Sequence, residues 1–164
     1  MATINAIKPK RMSTLRIFTT TILCATLVIS GCGLLHTTLK VDPATVAEVR
    51  AIGKVIAHTT TSGTWEDTTQ VDDFLLVDLG AVDYEAARNK ARNQLQGIGW
   101  KTSGSGHLWI HMKSTKWANT VLKIDSFENY EAHGEPLESK VEKALMTEPA
   151  KTQTYIILTL TRTA

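Results

Sequence analysis

Cysteine is scarce in this 164-residue chain: there are two, Cys24 and Cys32. None lies beyond residue 32, so the chain after Cys32 contains no internal disulfide and must stand on its packed core alone. About 130 residues are enough to build one such core, with little left for a second domain. Hydrophobic residues make up 43% of the chain and charged residues 21%, the balance of a globular protein and not of a disordered one. A long hydrophobic run is also missing. The apolar stretch from Ile17 to Gly31 is about fifteen residues and is softened by Thr19, Thr20, Thr21 and Thr26, whereas spanning a bilayer takes ~20.

Acid is absent from residues 1–31, which carry Lys8, Lys10, Arg11 and Arg16. The formal charge of +2 therefore misleads: the remainder holds 14 of the 18 basic residues against all 16 acidic ones, a net of −2. Nothing in that balance suggests nucleic acid, which calls for a basic patch or stripe.

A basic start, a short apolar core, and then Ile29-Ser30-Gly31-Cys32 make up the N-terminus. This resembles the signal peptide of a bacterial lipoprotein, whose box is an aliphatic residue, a small or β-branched one, Gly or Ala, and an obligatory cysteine. The resemblance implies cleavage between Gly31 and Cys32, a diacylglyceryl group on the Cys32 thiol and, in many bacteria, a third acyl chain on the new amino group. Two or three chains at ~0.8 kcal/mol per buried CH₂ hold firmly to a membrane, where one would not. The expected organisation is a removed signal peptide at 1–31, a lipidated cysteine and short tether at 32–41, and a single domain at 42–164. Gly33, where an Asp would be associated with inner-membrane retention, leaves either the cell membrane or the outer membrane as the destination, facing outside the cytoplasm. The resemblance extends over the first 33 residues only.

Beyond the tether, Asp42-Pro43 is a helix start, and Val46, Val49, Ile52 and Ile56 recur at helical spacing, predicting an amphipathic helix over 43–57. Thr59 to Gln70 reads as a polar loop. Phe74 to Leu79 reads as a strand, Tyr84 to Gln96 as a helix capped by Asp83, and Ser103-Gly104-Ser105-Gly106 as a flexible connection. His107–Met112 and Thr120–Phe127 form an expected hairpin. A three-residue loop, which places Leu122 and Ile124 with Ile110, makes a better core than a two-residue turn. Glu135-Pro136 opens a helix to Met146, and Tyr155–Arg162 is the last strand. The expected fold class is therefore α+β. A two-layer sandwich would place two helices on one face of a mainly antiparallel four-stranded sheet, in ferredoxin-like βαββαβ order, preceded by an extra N-terminal helix.

Chemistry-bearing motifs are few. His107 and His111 on a strand share a face but stand ~13 Å apart, too far for one ion. His36, His58 and His133 fall in or beside expected loops, and Asp72 and Asp73 read as solvated charges opening a strand. No Gly-x-Ser-x-Gly elbow and no phosphate-loop spacing occurs. No catalytic residue, metal site or cofactor is assigned. The outstanding feature is the second face of the sheet, carrying Phe74, Leu76, Trp109, Val121, Tyr155 and Ile157, an apolar area a soluble domain seldom leaves open. The 43–57 helix is its expected cover. The sharper alternative is a contact for a protein partner or a second copy, centred on Trp109, flanked by His107 and His111, and including Tyr155 and Ile157. The expected function is a lipid-anchored, non-enzymatic binding or interaction module of the cell envelope. A small envelope hydrolase or cell-wall-modifying enzyme and a self-associating structural envelope subunit are the alternatives.

Overall fold

A computed structural model describes residues 36–132 and 139–164. The Ile29-Ser30-Gly31-Cys32 box, Gly33, His133 and the expected helix start at Glu135-Pro136 lie outside the described residues. Among the described residues no helix is long and apolar enough to cross a membrane.

Seven strands form one mixed sheet: β1 (Thr37–Lys40), β2 (Lys54–Trp65), β3 (Thr68–Asp78), β4 (Trp100–Ser105), β5 (Trp109–Ser114), β6 (Thr120–Asp125) and β7 (Ile156–Arg162). The order across the sheet is β2-β3-β7-β6-β5-β4 with every neighbouring pair antiparallel. β1 lies parallel to the N-terminal end of β3, on the edge that β7 occupies further along. Among the described residues four α-helices accompany it: α1 (Pro43–Arg50), α2 (Tyr84–Gly97), α3 (Phe127–Ala132) and α4 (Ser139–Thr147), with a 3₁₀ turn at Pro149–Lys151.

This corrects the four-stranded ferredoxin-like sandwich. The segment expected to be the back of a helix and a polar loop is instead the long hairpin of β2 and β3, because its Val, Ile and Thr residues are β-branched and lose rotamer freedom in a helix. α1 accordingly stops at Arg50, with Asp42 capping its start through a 2.8 Å bond from the Ala44 amide. Gly53 then lets the chain run against β3: a Cβ there would stand 2.7 Å from Leu79 Cδ2 and 2.9 Å from the Asp78 carbonyl. Thr37–Lys40, expected as tether, is strand β1. Ser103-Gly104-Ser105, expected as a flexible link, belongs to β4, which carries an irregularity between Thr102 and Gly104.

The helices divide between both faces, not one. α1 and α2 cover the face formed by Leu75, Val77, Ile110, Leu122, Ile124 and Leu158, contributing Val46, Val49, Ala87, Ala91 and Leu95. α4 covers Phe74, Leu76, Tyr155 and Ile157 on the opposite face with Val141 and Leu145, and Tyr130 of α3 meets Phe74 edge-on at 6.1 Å. The expected cover of that second face, the first helix, sits on the other side of the sheet. Each face of a sheet this apolar needs its own layer, and the chain supplies one for each. Ile110 pairs with Ile124 and Met112 with Leu122, so the hairpin takes the expected face, although its turn is longer than three residues.

Candidate functional site

Where β1 ends and α1 begins, the chain crosses over the β2–β3 hairpin and leaves a cavity of ≈ 480 Å³. Its apolar wall is Val41, Pro43, Val46 and Ala47. Lys40 and Arg50 supply cationic side chains, and His58, Thr60 and Asp73 line it from the sheet. These three converge because of the hairpin register. Thr60 pairs with Asp73 and His58 with Leu75, so all point to the α1 face of the sheet.

His58 Nε2 donates to Asp73 Oδ1 at 2.8 Å. Asp73 is buried to 4% exposure, and its second oxygen, Oδ2, is shielded from solvent without a hydrogen-bond partner. A buried carboxylate with one partner is costly, and natural structures keep few such groups. Its geometric effect is to fix the imidazole: with Nε2 committed to Asp73, Nδ1 remains for whatever enters the cavity. His58 keeps 29% of its side chain exposed, which makes it the accessible member of the dyad. Thr60 is the one hydroxyl among the described lining residues, and no thiol joins it.

Residues singled out in the sequence scatter over three environments. Tyr155 and Ile157 are buried beneath α4, at 2% exposure each, and belong to the second core cluster. His107 is exposed in the loop before β5 and, with Tyr84, Ser126 and Tyr155, lines a second cavity of ≈ 310 Å³. Trp109 and His111 share the second sheet face and are in ring contact, centroids 4.7 Å apart with the planes tilted by 48°. The indole rests on backbone that only glycine permits: a Cβ on Gly106 would lie 2.5 Å from Trp109 Nε1. Helix α2 fixes the entry to β5. Tyr84 donates its hydroxyl to the Leu108 carbonyl at 2.6 Å, and Arg88 donates to the carbonyls of Gly106, at 3.1 Å, and His107. Burial pushes the Tyr84 phenol above its usual range.

Next to Trp109 in the sheet stands Asp125, its cross-strand partner. Asp125 accepts from Asn129 Nδ2 at 2.7 Å, and Lys123 Nζ lies 3.0 Å from its other oxygen. Burial raises its carboxyl above the ordinary range, against the opposing pull of Lys123, Asn129 and His111. Among the described residues no group of three or more His, Cys, Asp or Glu is placed to hold a metal ion. The pair His107 and His111 does not come together.

Comparison of the chain with protein-family models, curated proteins and solved structures returned no match. The site rests on geometry.

Sequence reasoning missed the His58–Asp73 dyad because both residues sat in a segment read as loop and strand end. The available signal was the β-branched run Val55-Ile56 and Thr59-Thr60-Thr61, which favours a strand and brings alternate residues to one face.

Proposed function

We propose that this chain is a lipid-anchored extracytoplasmic protein of the cell envelope, held through acyl chains on Cys32, whose domain is a non-enzymatic binding module. Its ligand is a small organic anion with an apolar part. The observation that carries this is the cavity beneath α1, lined together by Lys40, Arg50, an imidazole fixed by Asp73, and the apolar side chains of Val41, Pro43 and Val46. Asp73 is the only carboxylate among its described lining residues, and it is engaged by His58, so the cavity favours negative charge.

Two experiments test the reading. Metabolic labelling with a radioactive fatty acid should mark the full chain and fail on Cys32→Ser; label that survives this change sinks the anchor. For the ligand, the isotope-labelled chain expressed from residue 33 is titrated with hexanoate and, separately, hexylammonium. Hexanoate should shift the amide signals of Lys40–Arg50 and His58–Thr60, Arg50→Glu should abolish the response, and hexylammonium should be silent. Equal responses to both probes, or none to either, overturn the assignment.

The dyad itself favours a second reading, a small envelope hydrolase. His58 Nδ1 would take a proton from a water as its oxygen attacks an ester carbonyl in the cavity, Asp73 would steady the resulting imidazolium, and the proton would pass to the departing alcohol as the acyl–oxygen bond breaks. In that case His58→Gln removes turnover and leaves ligand binding in place.

A further inference from the structure

The β2–β3 hairpin outruns the rest of the sheet. β7 pairs with β3 only from Asp73 to Val77, whereas β2 stays paired to β3 as far as Trp65 opposite Thr68. The strand residues Thr68 to Asp72 therefore run on past the last β3–β7 pair for about 17 Å at ~3.4 Å per residue. On that edge β1 accompanies the arm, paired with Thr68–Val71. The chain thus enters the sheet at the tip of the arm: the Thr37 amide donates to the Asp67 carbonyl at 2.7 Å, and His36 Nε2 lies 2.8 Å from Thr69 Oγ1.

At that tip stands Trp65, 52% exposed. The other large apolar side chains this open among the described residues are Val82 and Met146. An indole half in solvent loses by its exposure unless something apolar covers it, and its N–H suits it to a boundary with one wet side. Sequence spacing names the cover. Five residue steps separate Cys32 from Thr37, a reach of at most about 18 Å even when fully extended. A chain anchored by lipid at Cys32 cannot hold the arm tip far from the bilayer.

We propose that the tip of the β2–β3 hairpin rests on the lipid surface, with Trp65 among the headgroups as a second contact beside the acyl anchor. The inference rests on the acylation of Cys32 and adds a lipid-facing side to the domain. Glu66 and Asp67, both exposed in the turn next to Trp65, set its depth. Carboxylates are costly in hydrocarbon, so the indole stays at headgroup level, and the contact favours zwitterionic over anionic lipid.

The acylated full chain is reconstituted into phosphatidylcholine vesicles bearing brominated acyl chains, and tryptophan quenching is compared between the wild type and Trp65→Phe. Trp100 is buried, and Trp109 and Trp117 are partly covered, so Trp65 is the indole placed to be quenched. Wild type should be quenched, Trp65→Phe should lose the larger part of that quenching, and added phosphatidylglycerol should reduce it in wild type. A vesicle-bound chain whose quenching is unchanged in Trp65→Phe overturns the proposal and leaves the anchor standing. A chain that does not float with vesicles overturns the anchor, and the proposal with it. Unchanged far-ultraviolet circular dichroism in Trp65→Phe keeps a folding defect from imitating a lost contact.

Discussion

Truncating His58 to alanine is expected to cost more stability than truncating Asp73, although Asp73 is the more deeply buried of the two. The two side chains are 29% and 6% exposed and share one 2.8 Å bond. Removing His58 leaves a carboxylate inside the protein with neither oxygen paired, since Oδ2 already lacks a partner. Stranding a buried charge costs ~3–5 kcal/mol, and the opening of the cavity beside His58 places this case near the lower end, about 3 kcal/mol. Removing Asp73 forfeits a charge-assisted bond of ~1.5–3 kcal/mol, but it also relieves the desolvation of the unpaired oxygen, ~1–3 kcal/mol. The net loss is about 1 kcal/mol. The double variant strands nothing, so it should resemble Asp73→Ala, with a coupling of about 3 kcal/mol between the sites. Urea unfolding followed by tryptophan fluorescence resolves this: with slopes of ~1–3 kcal/mol per molar, a gap of about 2 kcal/mol separates the midpoints by roughly 1 M. If Asp73→Ala proves the more damaging variant, or if the two losses simply add, then the carboxylate is compensated by something other than His58 and the dyad is not a single unit.

Three further outcomes are expected from the packing. The Asp125 carboxyl is raised by burial, so the folded state holds its proton more tightly than the unfolded chain, whose Asp titrates near ~3.9. Its contribution is therefore full below that value and is lost as pH rises through the folded pKa, so Asp125→Asn should raise the urea midpoint at pH 7 and lose its advantage at pH 3. Gly106→Ala forces a methyl into the Trp109 indole and should cost ~1–3 kcal/mol in thermal unfolding; an unshifted melting temperature would mean that the indole does not lie there. Tyr84→Phe deletes the donor to the Leu108 carbonyl and should lose ~1 kcal/mol, with faster amide exchange at the start of β5 as its local signature.

Helical periodicity and capping residues made α2 legible: Asp83 accepts from the Ala86 amide at 2.8 Å, and Ala87, Ala91 and Leu95 form the buried stripe, as the spacing predicts. Alternation likewise sorted the two sheet faces, since Leu75, Val77, Ile110, Leu122 and Leu158 do share one core. The amphipathic reading of Val46, Val49 and Ile52 also held as far as Arg50. It failed beyond because Val55 and Ile56 satisfy a helical stripe and a strand equally well, and a short apolar stretch cannot decide between them. The choice was made by Gly53, which admits the close approach to β3, and that contact exists only in the folded chain. Trp109 illustrates the converse. Its face was legible, but its contact with Gly104 on the neighbouring strand and with Gly106 just past that strand's end was not, because no local pattern announces the irregularity between Thr102 and Gly104. The candidate site was lost through the same error as the hairpin, since His58 and Asp73, fifteen residues apart, meet here because they stand on adjacent antiparallel strands.

The two proposed surfaces are mechanically one element. β1 is four residues long; its first, Thr37, is bonded to the hairpin turn, and its last, Lys40, lines the cavity. Three residue steps at ~3.3 Å put about 10 Å of strand between the arm tip and the mouth of the cavity. A tip resting on lipid would therefore hold the cavity within a short distance of the headgroups, where amphipathic anions concentrate. The charges are arranged for this order: Glu66 and Asp67 stand at the tip, and Lys40 and Arg50 stand at the cavity. Such a separation steers a negative ligand past the first pair and toward the second, over a distance comparable to the ~8 Å Debye length at physiological salt. Reversing the tip charge, with Glu66→Lys and Asp67→Lys together, should draw the arm onto anionic vesicles and, by removing the repulsion beside the cavity, speed hexanoate association without altering its position in the cavity. Stopped-flow binding at low and high salt reads that change, and an association rate indifferent to both substitutions would separate the two surfaces.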